Sequence, residues 1–333
     1  MIFAKQPRHH GRLFIRQAQQ KAIVFVVIFA LTGTGLVLFS HAATPVVSFE
    51  AENGKLSGVT IISDSSASGG SAVRFGAGKA ATQSLHYTSN SNFDASGNYI
   101  PGSVGFNLAD VSSAGSINSL PSGVKALVYL GLCNGADASF QSAVSPFIGN
   151  ARVFGFYLMD EPDPTGKYKT LCPPANLKME SDWIHTNDPG VKTYILEMNL
   201  YETKNPTYQG DYNPANSDID LYGLDPYPCR TELNGCNYSW ITLAVNAANA
   251  AGIPTAQIVP TYQAFGLGTW IDDGGSTYAV PTADQTTQII STWATAVPHP
   301  VFDYVYSWGS QNADQSLNTN PTVQQVFAAH NSQ

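Results

Sequence analysis

Residues Phe154-Gly155-Phe156-Tyr157-Leu158-Met159-Asp160-Glu161-Pro162 form an apolar run that ends in two carboxylates and a proline. A run without polar alternation is the mark of a strand buried on both faces, as in a parallel sheet covered by helices. Pro162 disfavours helical geometry at the residue before it and stops the strand where the acids emerge. Such a strand is one stave of a (β/α) barrel opening into its functional face.

Working outward, further apolar runs occur at 104–108, 125–132, 192–198, 218–224, 257–262 and 302–308. An eighth stave is expected before Val104 or within 270–280, failing which the barrel is incomplete. Helix signals lie between the runs. Residues 176–186 are closed by Asn187-Asp188-Pro189-Gly190, 240–251 by Gly252, and 282–296 by Pro298. The expected fold class is therefore α/β, a TIM-type (β/α)8-like barrel with a small N-terminal β segment. The domains read as 1–43 leader, 44–97 short β segment and linker, and 98–333 barrel.

The leader carries Lys5, Arg8, Arg12, Arg16 and Lys21 without an acid, followed by an apolar stretch from 22 to 39 and small residues at Ser40-His41-Ala42-Ala43. This is the order of a signal peptide cut after Ala42 or Ala43, with a retained anchor through residues 22–39 as the alternative. Both place the remainder outside the cytoplasm, extracellular or at the cell surface. Without the leader the net charge moves from −8 to −13, which repels nucleic acid and favours a neutral or cationic partner. An even number of cysteines in an exported chain suggests two disulfides. Of the three pairings, Cys229 with Cys236 closes a short loop and leaves Cys133 with Cys172. The spacing lacks Cys-x-x-Cys, so a zinc site is not expected.

The residues closing the apolar runs are Asp110, Asp160 with Glu161, Glu197, Asp225 with Tyr227, Tyr262 with Gln263, and Trp308 with Gln311. Carboxylates transfer protons and attack, amides and phenols bind hydroxyls, and indole stacks on a sugar ring, so a carbohydrate substrate is expected. No serine-hydrolase elbow, His-Glu-x-x-His or phosphate loop is present, and no metal or nucleotide cofactor is expected. A monomer is expected.

Asp160-Glu161-Pro162 resembles the Asn-Glu-Pro or Asp-Glu-Pro strand end of barrel glycoside hydrolases related to cellulases and β-galactosidases. That resemblance implies Glu161 as general acid/base and Asp160 in support. In those enzymes the motif closes the fourth strand and a partner glutamate closes the seventh. Here the runs place the motif third, and the late strands end in Tyr262-Gln263 and Ser307-Trp308-Gly309. Asp220-Leu221-Tyr222-Gly223-Leu224-Asp225-Pro226-Tyr227-Pro228-Cys229 and Gln263-Ala264-Phe265-Gly266 extend the likeness to a group of secreted, hydrolase-like barrels. The second catalytic carboxylate is expected from Asp225, then Glu197, with Asp110 a further candidate. Asp110, Asp160, Tyr227, Tyr262, Gln263 and Trp308 are expected to bind substrate. A carboxyl separation of about 5–5.5 Å would make the second acid a nucleophile, and about 6.5–9.5 Å would leave room for a water.

Residues 46–76 alternate in the β manner, with Gly/Ser turns. They resemble the opening strands of β-sandwich carbohydrate-binding modules that begin with Glu-Ala-Glu, here Glu50-Ala51-Glu52, a triplet the resemblance implies in calcium binding. The later strands of such a module are lacking. The functions expected are thus exported glycoside hydrolysis or, as the alternative, non-catalytic glycan binding on a hydrolase-like barrel.

Overall fold

The computed structural model describes residues 59–63, 71–75 and 84–333. The chain divides into two units, residues 1–81 and 82–333. In the first, β1 (Val59–Ser63) and β2 (Ser71–Phe75) pair antiparallel, with Val59 opposite Phe75. The leader, its apolar stretch and the Glu50-Ala51-Glu52 triplet lie outside the described residues. Among the described residues no helix is long and apolar enough to cross a membrane.

The second unit is a closed barrel of eight parallel strands. Its first six staves are β3 (Leu85–Thr88), β4 (Leu108–Val111), β5 (Lys125–Tyr129), β6 (Val153–Asp160), β7 (Lys192–Leu196) and β8 (Leu221–Leu224). A short hairpin, β9 (Cys229–Arg230) with β10 (Gly235–Cys236), precedes the last two staves, β11 (Ile258–Gln263) and β12 (Phe302–Tyr306). β12 pairs back onto β3 and closes the ring. The eighth stave is thus the one before Val104, and it falls inside the stretch expected to be linker. Its presence moves Asp160-Glu161-Pro162 to the end of the fourth strand, where the resembled hydrolases carry their motif. The seventh strand, β11, ends in Gln263.

Every stave is buried on both faces, which is why the runs lack polar alternation. Tyr87, Leu108, Leu127, Tyr157, Tyr194, Leu221, Val259, Phe302 and Tyr304 point inward and fill the barrel. Their rings pack tilted or edge-on, with centroids 4.6 Å apart for Tyr157 and Tyr194 and 4.8 Å for Tyr87 and Tyr304. The intervening residues, such as Ala109, Val128, Ile195 and Val305, face an outer layer of helices. Pro174–Asn187, Ser239–Ala250 and Ala283–Ala296 match the three helices read from the sequence. Ala138–Val144 and Pro321–Asn331 complete the longer outer helices, the first capped by Asp137 and the second by Asn320. The disulfides Cys133–Cys172 and Cys229–Cys236 are both formed.

Gly223 lies inside β8, where a Cβ would come within 2.1 Å of the Tyr194 hydroxyl and 2.6 Å of Leu196 Cδ1. Gly223→Ala is expected to lower unfolding stability by about 1–3 kcal/mol through overpacking, read from chemical denaturation. An unchanged midpoint would mean that the Tyr194 ring moves aside freely.

Candidate active site

In a strand successive side chains face opposite ways, so the phase set by the packed interior decides which residues emerge at the barrel mouth. Tyr87 leads to Ser89, Leu108 to Asp110, Leu127 to Tyr129, Leu221 by way of Gly223 to Asp225, and Tyr304 to Tyr306. All of these emergent residues line one cavity of about 440 Å³ at the C-terminal strand ends. β6 reaches the same place differently. Its register against β7 shifts between Tyr157 and Met159, and this irregularity re-aims the strand so that Asp160 and Glu161 both enter the cavity. The acids therefore rise from the second, fourth and sixth strands, following the alternate-strand layering of such barrels.

Glu161 is held at φ 44°, in the left-handed region, directly before Pro162. A non-glycine residue there costs about 1–3 kcal/mol, and such strain gathers at functional sites. Its carboxylate lies 2.7 Å from Lys169 Nζ. Lys169 is delivered by a loop wound around the fully buried Asp163, whose carboxylate accepts bonds from the amides of Thr165, Gly166, Tyr168 and Lys169 and from the Thr165 hydroxyl. The loop ends at Cys172, whose amide donates to Asp163 O at 2.7 Å and whose sulfur is tied to Cys133. Beside Glu161, Asp160 accepts the Tyr157 hydroxyl at 2.6 Å.

Burial pushes the Glu161 carboxyl up, the Lys169 ammonium opposes that, and Asp160 adds to it. Asp225 is pushed well above the carboxylate range by burial and by the Glu161 and Asp160 charges. Burial also raises Asp110, although the Asn90 amide donates to it at 3.2 Å. Desolvated acids at unequal pKa values are what acid–base chemistry requires.

Four expected site residues lie elsewhere. Glu197 follows Leu196 in the opposite phase and is fully buried outside the cavity lining, against Asp211. Tyr262 points outward onto Phe327 and His330. Gln263 has the inward phase, but its amide is taken by backbone. Its Oε1 accepts from the Cys229 amide at 2.8 Å, and its Nε2 donates to the carbonyls of Cys229 and Ala279. Trp308 comes after the strand has ended and packs edge-on against Phe106. Asp110, Asp160, Glu161, Asp225 and Tyr227 do converge. Lys169, Tyr129, Tyr201, Trp270, Asp273 and Tyr306 were not foreseen. Strand phase points to Tyr129 and Tyr306, whereas the others arrive on loops that leave no periodic signal.

Among the described residues, one group of three metal-capable side chains stands together, His86, Asp303 and His330, on the outer wall. Asp303 lies 2.9 Å from His86 Nδ1 and 2.8 Å from His330 Nε2. A metal at His86 Nδ1 would drive that ring's proton to Nε2, which is buried without a partner. The trio fits a hydrogen-bonded clamp joining β3, β12 and the C-terminal helix.

No protein-family model and no curated protein matches the chain. Among solved structures, a chitinase from Rhizomucor miehei is 11% identical, with a TM-score of 0.47 over 74% of this chain and 99% of its own. A family GH18 chitinase from Cycas revoluta, in complex with allosamidin, is 13% identical with a TM-score of 0.46 over 75% and 99%. A fungal endo-beta-N-acetylglucosaminidase of glycosyl hydrolase family 18 is 12% identical with a TM-score of 0.43 over 74% and 96%. Likeness at this level carries no inference about reaction or substrate, and the fold rests on the closure of the barrel itself.

Glu197 and Asp211 are pushed up by burial together, Asp211 to about 8 and Glu197 well above its usual range. Groups raised in the folded state contribute stability that is complete below their unfolded pKa and is lost as pH rises through the folded one. Unfolding stability should therefore fall between about pH 4 and pH 8. Glu197→Gln should flatten that fall in pH-dependent denaturation curves. An equal slope in the mutant would remove the pair as its cause.

Proposed function

We propose that this chain is an exported glycoside hydrolase that cleaves a polysaccharide or cell-envelope glycan with two carboxylates, Glu161 and Asp225. The observation that carries this reading is their convergence, with unequal surroundings, in an aromatic-lined cavity at the C-terminal face of the barrel. Lys169 favours the charged form of Glu161 at contact distance. Asp225 is the more strongly raised acid of the two, which suits it to donate. The roles then run opposite to those implied by the Asp-Glu-Pro resemblance. Asp225 protonates the departing glycosidic oxygen, while ionised Glu161 attacks the anomeric carbon or activates a water there. Asp160, fixed by Tyr157, adds negative potential beside the developing oxocarbenium ion. Tyr227 and Tyr306 supply ring surfaces for a sugar. Export follows from the basic and apolar leader and accords with two disulfides.

Glycan binding without catalysis is the second reading. It is favoured by the Lys169 ammonium, which occupies Glu161, and by a seventh strand that ends in an amide.

Glu161→Gln and Asp225→Asn should each reduce kcat by about 10²–10⁴-fold with glycan binding retained, measured as reducing ends released from a panel of plant, fungal and bacterial glycans. A wild type that binds but releases nothing would establish the second reading. Lys169→Met removes a cation that lowers the Glu161 pKa, so the acidic limb of the pH–rate profile should move to higher pH. Lys169→Arg should leave it close to wild type. An unmoved limb in Lys169→Met would return the ionised role to another group.

A further inference from the structure

The five ionisable carboxylates of the cavity are Asp110, Asp160, Glu161, Asp225 and Asp273, and among the described residues its lining includes no Lys, Arg or His. Two cations border the cavity, and both are already engaged. Lys169 contacts Glu161. Arg230 pairs with Asp273 and Asp272 and lies over the Trp240 and Tyr278 rings at 4.7 and 5.6 Å. Asp110, Asp160 and Asp225 are left without a cationic partner. Asp225 is used in the reaction, and two acids suffice to break a glycosidic bond, so Asp110 and Asp160 exceed what the bond cleavage itself needs.

The walls around these two acids are aromatic. Tyr87 borders Asp110, Tyr157 donates its hydroxyl to Asp160, and Tyr129, on the strand between those of the two acids, lines the same cavity with its ring 5.2 Å from that of Tyr157. Burial raises Asp110, as expected of a desolvated carboxylate that no cation neutralises. A hydroxyl gains little from a second and third carboxylate. An ammonium gains from both, and from ring faces that attract cations once water is displaced. The net negative charge of the exported chain draws the same kind of partner from solution.

We propose that the Asp110–Asp160 box with Tyr87, Tyr129 and Tyr157 selects a glycan bearing free, protonated amines, an unsubstituted 2-amino-2-deoxyhexose polymer, over N-acylated or neutral ones. This inference rests on the hydrolase reading of the same cavity and names its substrate class.

The test gives the full exported protein three matched oligomers, of glucosamine, N-acetylglucosamine and glucose, below the pKa of the amine, and follows both cleavage and binding. The glucosamine oligomer should be preferred by at least about tenfold in kcat/KM. N-acetylation should abolish the preference, and added salt should weaken it. Asp110→Asn should lower the ratio of kcat/KM on the amine oligomer to kcat/KM on the neutral oligomers by about tenfold. Equal or better cleavage of the neutral or acylated oligomers would overturn the inference and leave the hydrolase reading standing. If none of the three oligomers is cleaved, the wider glycan panel decides the hydrolase reading. Binding then decides the inference, upheld by tighter binding of the amine oligomer and overturned by its absence.

Discussion

Closure of the parallel barrel is the constraint from which the rest follows. A strand with the barrel interior on one side and helices on the other can expose a polar side chain only where it ends. The interior here is filled by tyrosine and phenylalanine rings in contact with one another, so the strands are locked in rotation as well as in register. An acid an even number of residues beyond an inward aromatic or leucine is then carried into the cavity with no adjustment. Asp110 and Asp225 arrive in that way, and the register shift in β6 does the same for Asp160 and Glu161.

The same closure makes the acids unusual. Asp110, Glu161 and Asp225, standing above an aromatic plug, lose water without gaining solvent-like dipoles, and their neutral forms are favoured. A single cation placed by a loop is then enough to distinguish Glu161 from Asp225. The Asp163-centred loop is well suited to that task, because five donors converge on one carboxylate and leave the loop little freedom.

The barrel was legible in the sequence because fully buried strands leave apolar runs, and seven of the eight staves did so. β3 did not. Two of its four residues, His86 and Thr88, face outward, His86 Nδ1 bonding Asp303 and the Thr88 hydroxyl the Val305 carbonyl, so the segment reads as polar although it is buried. Missing it misnumbered the Asp-Glu-Pro strand. The site was half legible for a related reason. Treating the last residue of each run as a site residue ignores phase, and phase sends Glu197 and Tyr262 away from the cavity while keeping Asp110 and Asp225. Backbone partners that capture Gln263 come from residues far along the chain, and nothing local announces them.

The loops that complete the cavity share one construction. Asp163 gathers the amides of the segment carrying Lys169. Asp211, buried against Glu197, accepts the Tyr212 amide at the end of the segment carrying Tyr201 and Tyr208. Asp272 accepts the amides of Gly274 and Ser276, beside the Arg230 that Asp273 binds. Asp314 accepts the amides of Gln311 and Asn312 and so places the amide side chain of Gln311 at the mouth. The acids around the cavity therefore divide in two. Some are turned inward on loop backbone, where they are neutralised by donors and shape the walls. The remainder stands in the cavity, and only that second set can act on a ligand. Net charge alone would have counted these together; the ion pairs separate them, and they leave Asp110, Asp160 and Asp225 as the cavity carboxylates that meet no cation.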